Sequence, residues 1–152
     1  MKRFLIRQVF PRLFGLLYLL SLCGTAMAAQ DNTPVPDGEH SYQEFRATIS
    51  SFPYSAPSER KRRILTRYPR LRIGMTKHQV AELLGKPDYS QLTFGPKGPG
   101  EHWNGSFWTY HLYMRDDNGN EFDPALYVGF GTDGLVDWAA PSGIGSLSKL
   151  GH

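Results

Sequence analysis

The chain has 152 residues with 17 Lys+Arg, 14 Asp+Glu, one cysteine and a formal charge of +3. Four of the cations (Lys2, Arg3, Arg7 and Arg12) stand in the first 28 residues, so the remaining 124 carry a net charge of −1. The pI near 9.1 therefore argues for no nucleic-acid partner, and a remainder without thiol must be held by burial in one core.

Residues 1–28 have the order of a cleaved secretory signal: a basic start, the apolar run Leu13 to Cys23, then Ala26-Met27-Ala28. Small residues sit where a signal peptidase reads, and the apolar run is shorter than the roughly 20 residues of a spanning helix. The expected location is the periplasm. Lipidation of Cys23 with outer-membrane attachment is the lesser reading, because Leu22 stands where a lipoprotein signal wants a small residue. Residues 29–40, with Pro34, Pro36 and Gly38, read as a flexible linker.

Residues 41–141 read as one domain. Ser41 and Glu44 make a capping box, and Tyr42, Phe45, Ile49 and Phe52 follow at helical spacing up to Pro53. A second helix is expected from Ser58 to Tyr68, stopped by Pro69. It opens a cationic run of Arg60, Lys61, Arg62, Arg63 and Arg67 that continues to Arg70 and Arg72. The run reads either as a docking surface for acidic lipid head groups or an acidic protein, or as a solvated helix face.

A third helix is specified at both ends. Thr76 and Gln79 form a capping box, and Met75 and Val80 are placed as a hydrophobic staple. Val80, Leu83 and Leu84 make the apolar stripe, while Gly85 and Pro87 end it. So short a helix is unstable alone and needs a sheet to lie on.

Strands follow. Ser90 to Phe94 is a short first candidate, then a loop from Gly95 to Ser106, then the aromatic strand Phe107 to Met114. Leu126 to Gly131 and Leu135 to Ala140 form a hairpin. A three-residue loop, Thr132-Asp133-Gly134, keeps one face apolar and pairs Phe130 with Val136, Val128 with Trp138 and Leu126 with Ala140. Residues 142–152 read as a loose tail.

Little in the sequence carries catalysis or a metal. No G-x-S-x-G elbow occurs, and His40, His78, His102 and His111 lack metal-ligand spacing. Asp116, Asn118 and Asn120 have the first spacings of a calcium loop, but Glu121 and Tyr127 stand where its glycine and bidentate glutamate belong. A polar turn at Asn118-Gly119 is the better reading. No cofactor is expected, and the chain reads as no enzyme.

Gly74-Met75-Thr76, Val80, Leu84-Gly85 and Pro87, followed by "FWTYHLYM" and "LYVGFGTDGLV", resemble the BamE-like (SmpA/OmlA) domain family of bacterial envelope proteins. The resemblance covers about Leu71 to Ala140. It implies an α+β fold of short helices packed on one face of a three-stranded antiparallel sheet, an architecture that secreted beta-lactamase inhibitors share. It also implies a non-enzymatic periplasmic or outer-membrane-associated binding protein, an accessory in outer-membrane protein assembly or envelope integrity. The alternative is a secreted inhibitor or immunity protein acting on an enzyme. The sheet face away from the helices would show Phe107, Thr109, His111, Tyr113, Tyr127 and Asp137 around Gly129 and Gly131, with Trp103 nearby as plug or contact. Aromatic rings there would serve as anchors for an envelope protein partner, unless a loop or the first helix folds over them.

Overall fold

A computed structural model describes residues 39–94, 103–117 and 122–151, excluding the side chains of Phe94 and Trp103. All lie in one of the chain's two units, 31–152. The leader, most of the linker, the loop residues 95–102 and the turn at Asn118-Gly119 fall outside the described residues.

Three helices precede most of the sheet: α1 (Tyr42–Ala47), α2 (Ser58–Arg67) and α3 (Lys77–Leu84), with a 3-10 turn at Tyr68–Arg70. Both capping boxes form as read. The Ser41 hydroxyl accepts from the Glu44 N–H and the Thr76 hydroxyl from the Gln79 N–H, each with the reciprocal bond. α1 ends at Thr48, well short of Phe52. Ile49 is still buried and Phe52 half-buried, so their helical spacing reflects packing of an irregular turn rather than a longer helix.

The strands are β1 (Tyr54–Ser55), β2 (Tyr89–Phe94), β3 (Trp103–His111), β4 (Tyr113–Met114), β5 (Ala125–Phe130), β6 (Val136–Ser142) and β7 (Leu150–Gly151). They make one antiparallel five-stranded sheet, in the order β2-β3-β5-β6-β7, and a separate β1-β4 ribbon. The expectation of a single three-stranded sheet with the helices on one face is therefore overturned. The Ser90 to Phe94 candidate forms one edge strand, the tail adds β7 as the other, and the aromatic run expected as a single strand divides into β3 and β4. At Leu112 that run breaks: the N–H groups of Leu112 and Tyr113 both turn to the Pro124 carbonyl, at 2.8 and 3.2 Å. Beyond that point β4 leaves the large sheet to pair with β1.

The helices also divide between the two faces. Ile64 of α2 and Val80 and Leu84 of α3 are buried in one core with Trp108, Tyr110, Leu126, Val128, Phe130, Val136 and Ala139. Each such aliphatic side chain contributes about 1.5–3 kcal/mol by leaving water. α1 instead covers the opposite face, where Phe45 stacks on His111 with ring centres 5.7 Å apart. It closes a second cluster with Ile49, Tyr89 and Met114.

The β5–β6 hairpin turns as the parity argument requires at its tip and departs beyond it. Gly134 takes φ +75° in the three-residue loop and Phe130 pairs with Val136. A β-bulge then places Asp137 as an extra residue, so Gly129 faces Trp138, Val128 faces Ala139 and Leu126 faces Pro141. One added residue reverses the parity of everything after it. Ala139 enters the core in the place expected for Trp138, and Trp138 goes to the far face.

The outer edge of β6 is occupied at both ends. Gly74 and Met75 exchange hydrogen bonds with Val136, and Thr76 bridges Leu135; β7 pairs with Trp138 and Ala139. This explains the strict termination of α3. Its lead-in is tied to the sheet edge and its exit at Gly85 (φ +93°) receives the Tyr110 hydroxyl at 3.1 Å, so the helix must fit the span between.

Candidate functional site

Two surfaces carry the residues singled out above, and the structure treats them differently. The aromatic face is half closed. Thr109 and His111 are buried: Thr109 pairs between Tyr89 and Tyr127, while Phe45 of α1 lies over His111, whose Nε2 meets the Tyr89 hydroxyl at 3.4 Å. His111 is thus no contact residue. Tyr113 lies on β4, outside the five-stranded sheet, and the Trp103 side chain is outside the described residues.

What stays accessible is a trio of half-buried rings, Phe107, Tyr127 and Trp138. Phe107 stands 6.2 Å from Tyr127 and 6.3 Å from Trp138 between ring centres. Gly129 makes the trio possible. A Cβ at that position would fall inside the Trp138 indole, so only glycine lets the ring lie flat on the strand. The sequence marks Gly129 as a gap but its alternation puts Trp138 in the core, because the bulge at Asp137 leaves no local signal.

The cationic run is sorted by its partners. Arg60 is withdrawn into the fold: its Nη2 donates to Asp88 Oδ1 at 2.8 Å and its guanidinium stands over the Tyr110 ring at 5.6 Å. Asp88 also accepts the His111 backbone N–H at 2.6 Å, so this carboxylate joins α2, the start of β2 and the end of β3. Burial raises its pKa to about 6, against the opposing pull of Arg60 and the His111 N–H. Burial likewise lowers the His111 imidazole to about 4, although Asp123 draws it the other way. Two atoms of this junction, Arg60 Nε and His111 Nδ1, are buried without a hydrogen-bond partner among the described residues. An incompletely satisfied buried pair is weak support for stability and serves to fix geometry.

Lys61 donates to the Ser55 hydroxyl at 2.6 Å, and Arg67 donates to the Leu83 carbonyl at 3.5 Å. Among the described residues, none of Arg62, Arg63 and Arg67 is paired with a carboxylate. All three are exposed. They flank two polar hollows along α2. One, of about 330 Å³, lies between Arg60, Arg63 and Lys86; the other, of about 280 Å³, lies between Arg62, Arg63, Thr66 and Arg67. Glu59 is the one acid among the described residues that line them. Guanidinium groups crowded on one ridge repel one another and bind planar oxyanions in fork geometry.

No group of three or more His, Cys, Asp or Glu among the described residues is placed to hold a metal ion. No described helix is long and apolar enough to cross a membrane. Fold and surface thus define an α+β protein with a cationic ridge on one side and an aromatic patch on the other. No protein-family model, curated protein or solved structure matches the chain.

Proposed function

We propose that this chain is a non-enzymatic binding protein of the bacterial cell envelope that docks on an acidic protein surface through the α2 ridge. The observation that carries the reading is the separation within one run of cations. Arg60 and Lys61 are held by the fold, whereas Arg62, Arg63 and Arg67 face solvent around two hollows with no carboxylate partner among the described residues. The signal-like N-terminus supports an envelope location. The BamE-like motif from Gly74 to Pro87 supports a role as an assembly or integrity accessory, on a scaffold with more strands than that family's. The rings of Phe107, Tyr127 and Trp138 supply a second contact area on the opposite face.

The test is the affinity of the full chain for an acidic peptide, measured at low and at physiological salt. The triple variant Arg62→Gln, Arg63→Gln, Arg67→Gln is expected to bind at least tenfold more weakly and to lose most of the salt dependence, as ionic contacts imply. Binding to anionic vesicles but not to the peptide would reassign the partner as lipid. Equal binding by the variant on both probes would discard the ridge.

A further inference from the structure

Among the described residues, a third hollow is lined by none of Arg62, Arg63 and Arg67 and by none of the aromatic trio. The 3-10 turn Tyr68–Arg70 and the C-terminal tail enclose a hollow of about 290 Å³. Its walls include Tyr68 and Leu71, both buried, and Leu147 and Leu150, which pack partly buried against the main core. The tail is fixed at this place: the Tyr68 hydroxyl donates to the Ser148 carbonyl at 2.6 Å, and β7 pairs with β6.

Two cations stand among the lining residues, one from each wall. Arg72 is exposed, and its Nη1 donates to the Pro69 and Leu71 carbonyls, at 2.7 Å each. That pins the guanidinium beside the hollow with its other nitrogens unused among the described residues. Lys149 is exposed and has no ion pair among the described residues. An apolar concavity with a few placed polar groups is the general form of a small-molecule site. Here the two charged groups among the described lining residues are both positive, beside the neutral Ser146 and Ser148.

We propose that this hollow binds a small amphipathic carboxylate, its apolar body against Tyr68, Leu71, Leu147 and Leu150 and its acid group between Arg72 and Lys149. The chemistry decides the class. A neutral apolar ligand would gain nothing from the two cations, and a fully polar anion would leave the leucine walls wet. The site does not depend on the ridge.

Calorimetric titration of the full chain with sodium octanoate, and with 1-octanol as the uncharged counterpart, tests it. Octanoate is expected to saturate one site and to bind at least tenfold more tightly than octanol, the scale of one charge-assisted contact. Arg72→Gln with Lys149→Gln should reduce octanoate to the affinity of octanol and leave octanol unchanged. Leu147→Trp, which fills the hollow, should abolish both. Amide exchange supplies an independent readout, with slower exchange at 147–150 when octanoate is added. Absence of saturation, equal octanoate binding by wild type and both variants, or protection confined to other segments would overturn the proposal.

Discussion

Gly129 and the Asp88–His111 junction show how much rests on single groups. Gly129→Ala sets a methyl group where the Trp138 indole lies, so the ring must leave the strand or the hairpin must shift. We expect a loss of about 1–3 kcal/mol, the usual cost of overpacking, and a displaced Trp138 indole resonance in proton–nitrogen spectra. An unmoved resonance would contradict the stacking. At the junction, the two buried groups work in opposite senses with pH. The raised Asp88 pKa favours folding at low pH, and this contribution is lost as pH rises through about 6. The lowered His111 pKa gives a contribution that is complete above the ordinary value of 6.5 and lost as pH falls through about 4. The two therefore oppose each other across the acid range. In Asp88→Asn only the histidine part remains, and denaturant titrations should show a steeper loss toward pH 4. The difference from wild type should be on the order of 2–3 kcal/mol, from about 1.4 kcal/mol per pKa unit. Parallel curves would remove Asp88 from the account.

Among the elements, α3 is the one most fully written in the sequence, and it is too short to stand alone. Its eight residues, Lys77–Leu84, hold by caps and by contact with the sheet. Thr76→Ala should cost about 1 kcal/mol in chemical denaturation, while Thr76→Ser should cost little, because the hydroxyl cap is what counts. Equal losses would mean that the threonine methyl, not the cap, matters there. Both capping boxes and the three-residue hairpin loop were legible because their partners lie within a few residues of one another. The extent of α1 was not, since Phe45, Ile49 and Phe52 keep helical spacing past the point where the helix ends. Nor was the bulge: Asp137 is an ordinary strand residue until the pairing with Gly129 and Phe130 forces it out.

For the molecule as a whole, the tail is the sharpest departure from the sequence reading of a loose end. Leu147 and Leu150 join the core, Ser148 accepts from Tyr68, and β7 completes the five-stranded sheet. Deleting residues 147–152 should therefore lower stability by about 2–4 kcal/mol, from two partly buried leucines and one hydrogen bond. A truncated chain as stable as the full one would show that the edge strand contributes nothing.

The candidate surfaces divide in the same way. The cations of the ridge could be read directly, but which of them are free depends on Asp88 and Ser55, which come from other segments. The aromatic residues were visible too, yet α1 covers His111 while the bulge brings Trp138 out beside Phe107. The sequence by itself determined the two capping boxes, both ends of α3 with its apolar stripe, and the hairpin tip, because each follows from interactions over a few residues. Strand number, the face each helix covers and the side on which Trp138 emerges were decided only in the tertiary structure. Those depend on contacts between residues far apart in the chain, where a single added residue or an edge pairing changes which side chains meet.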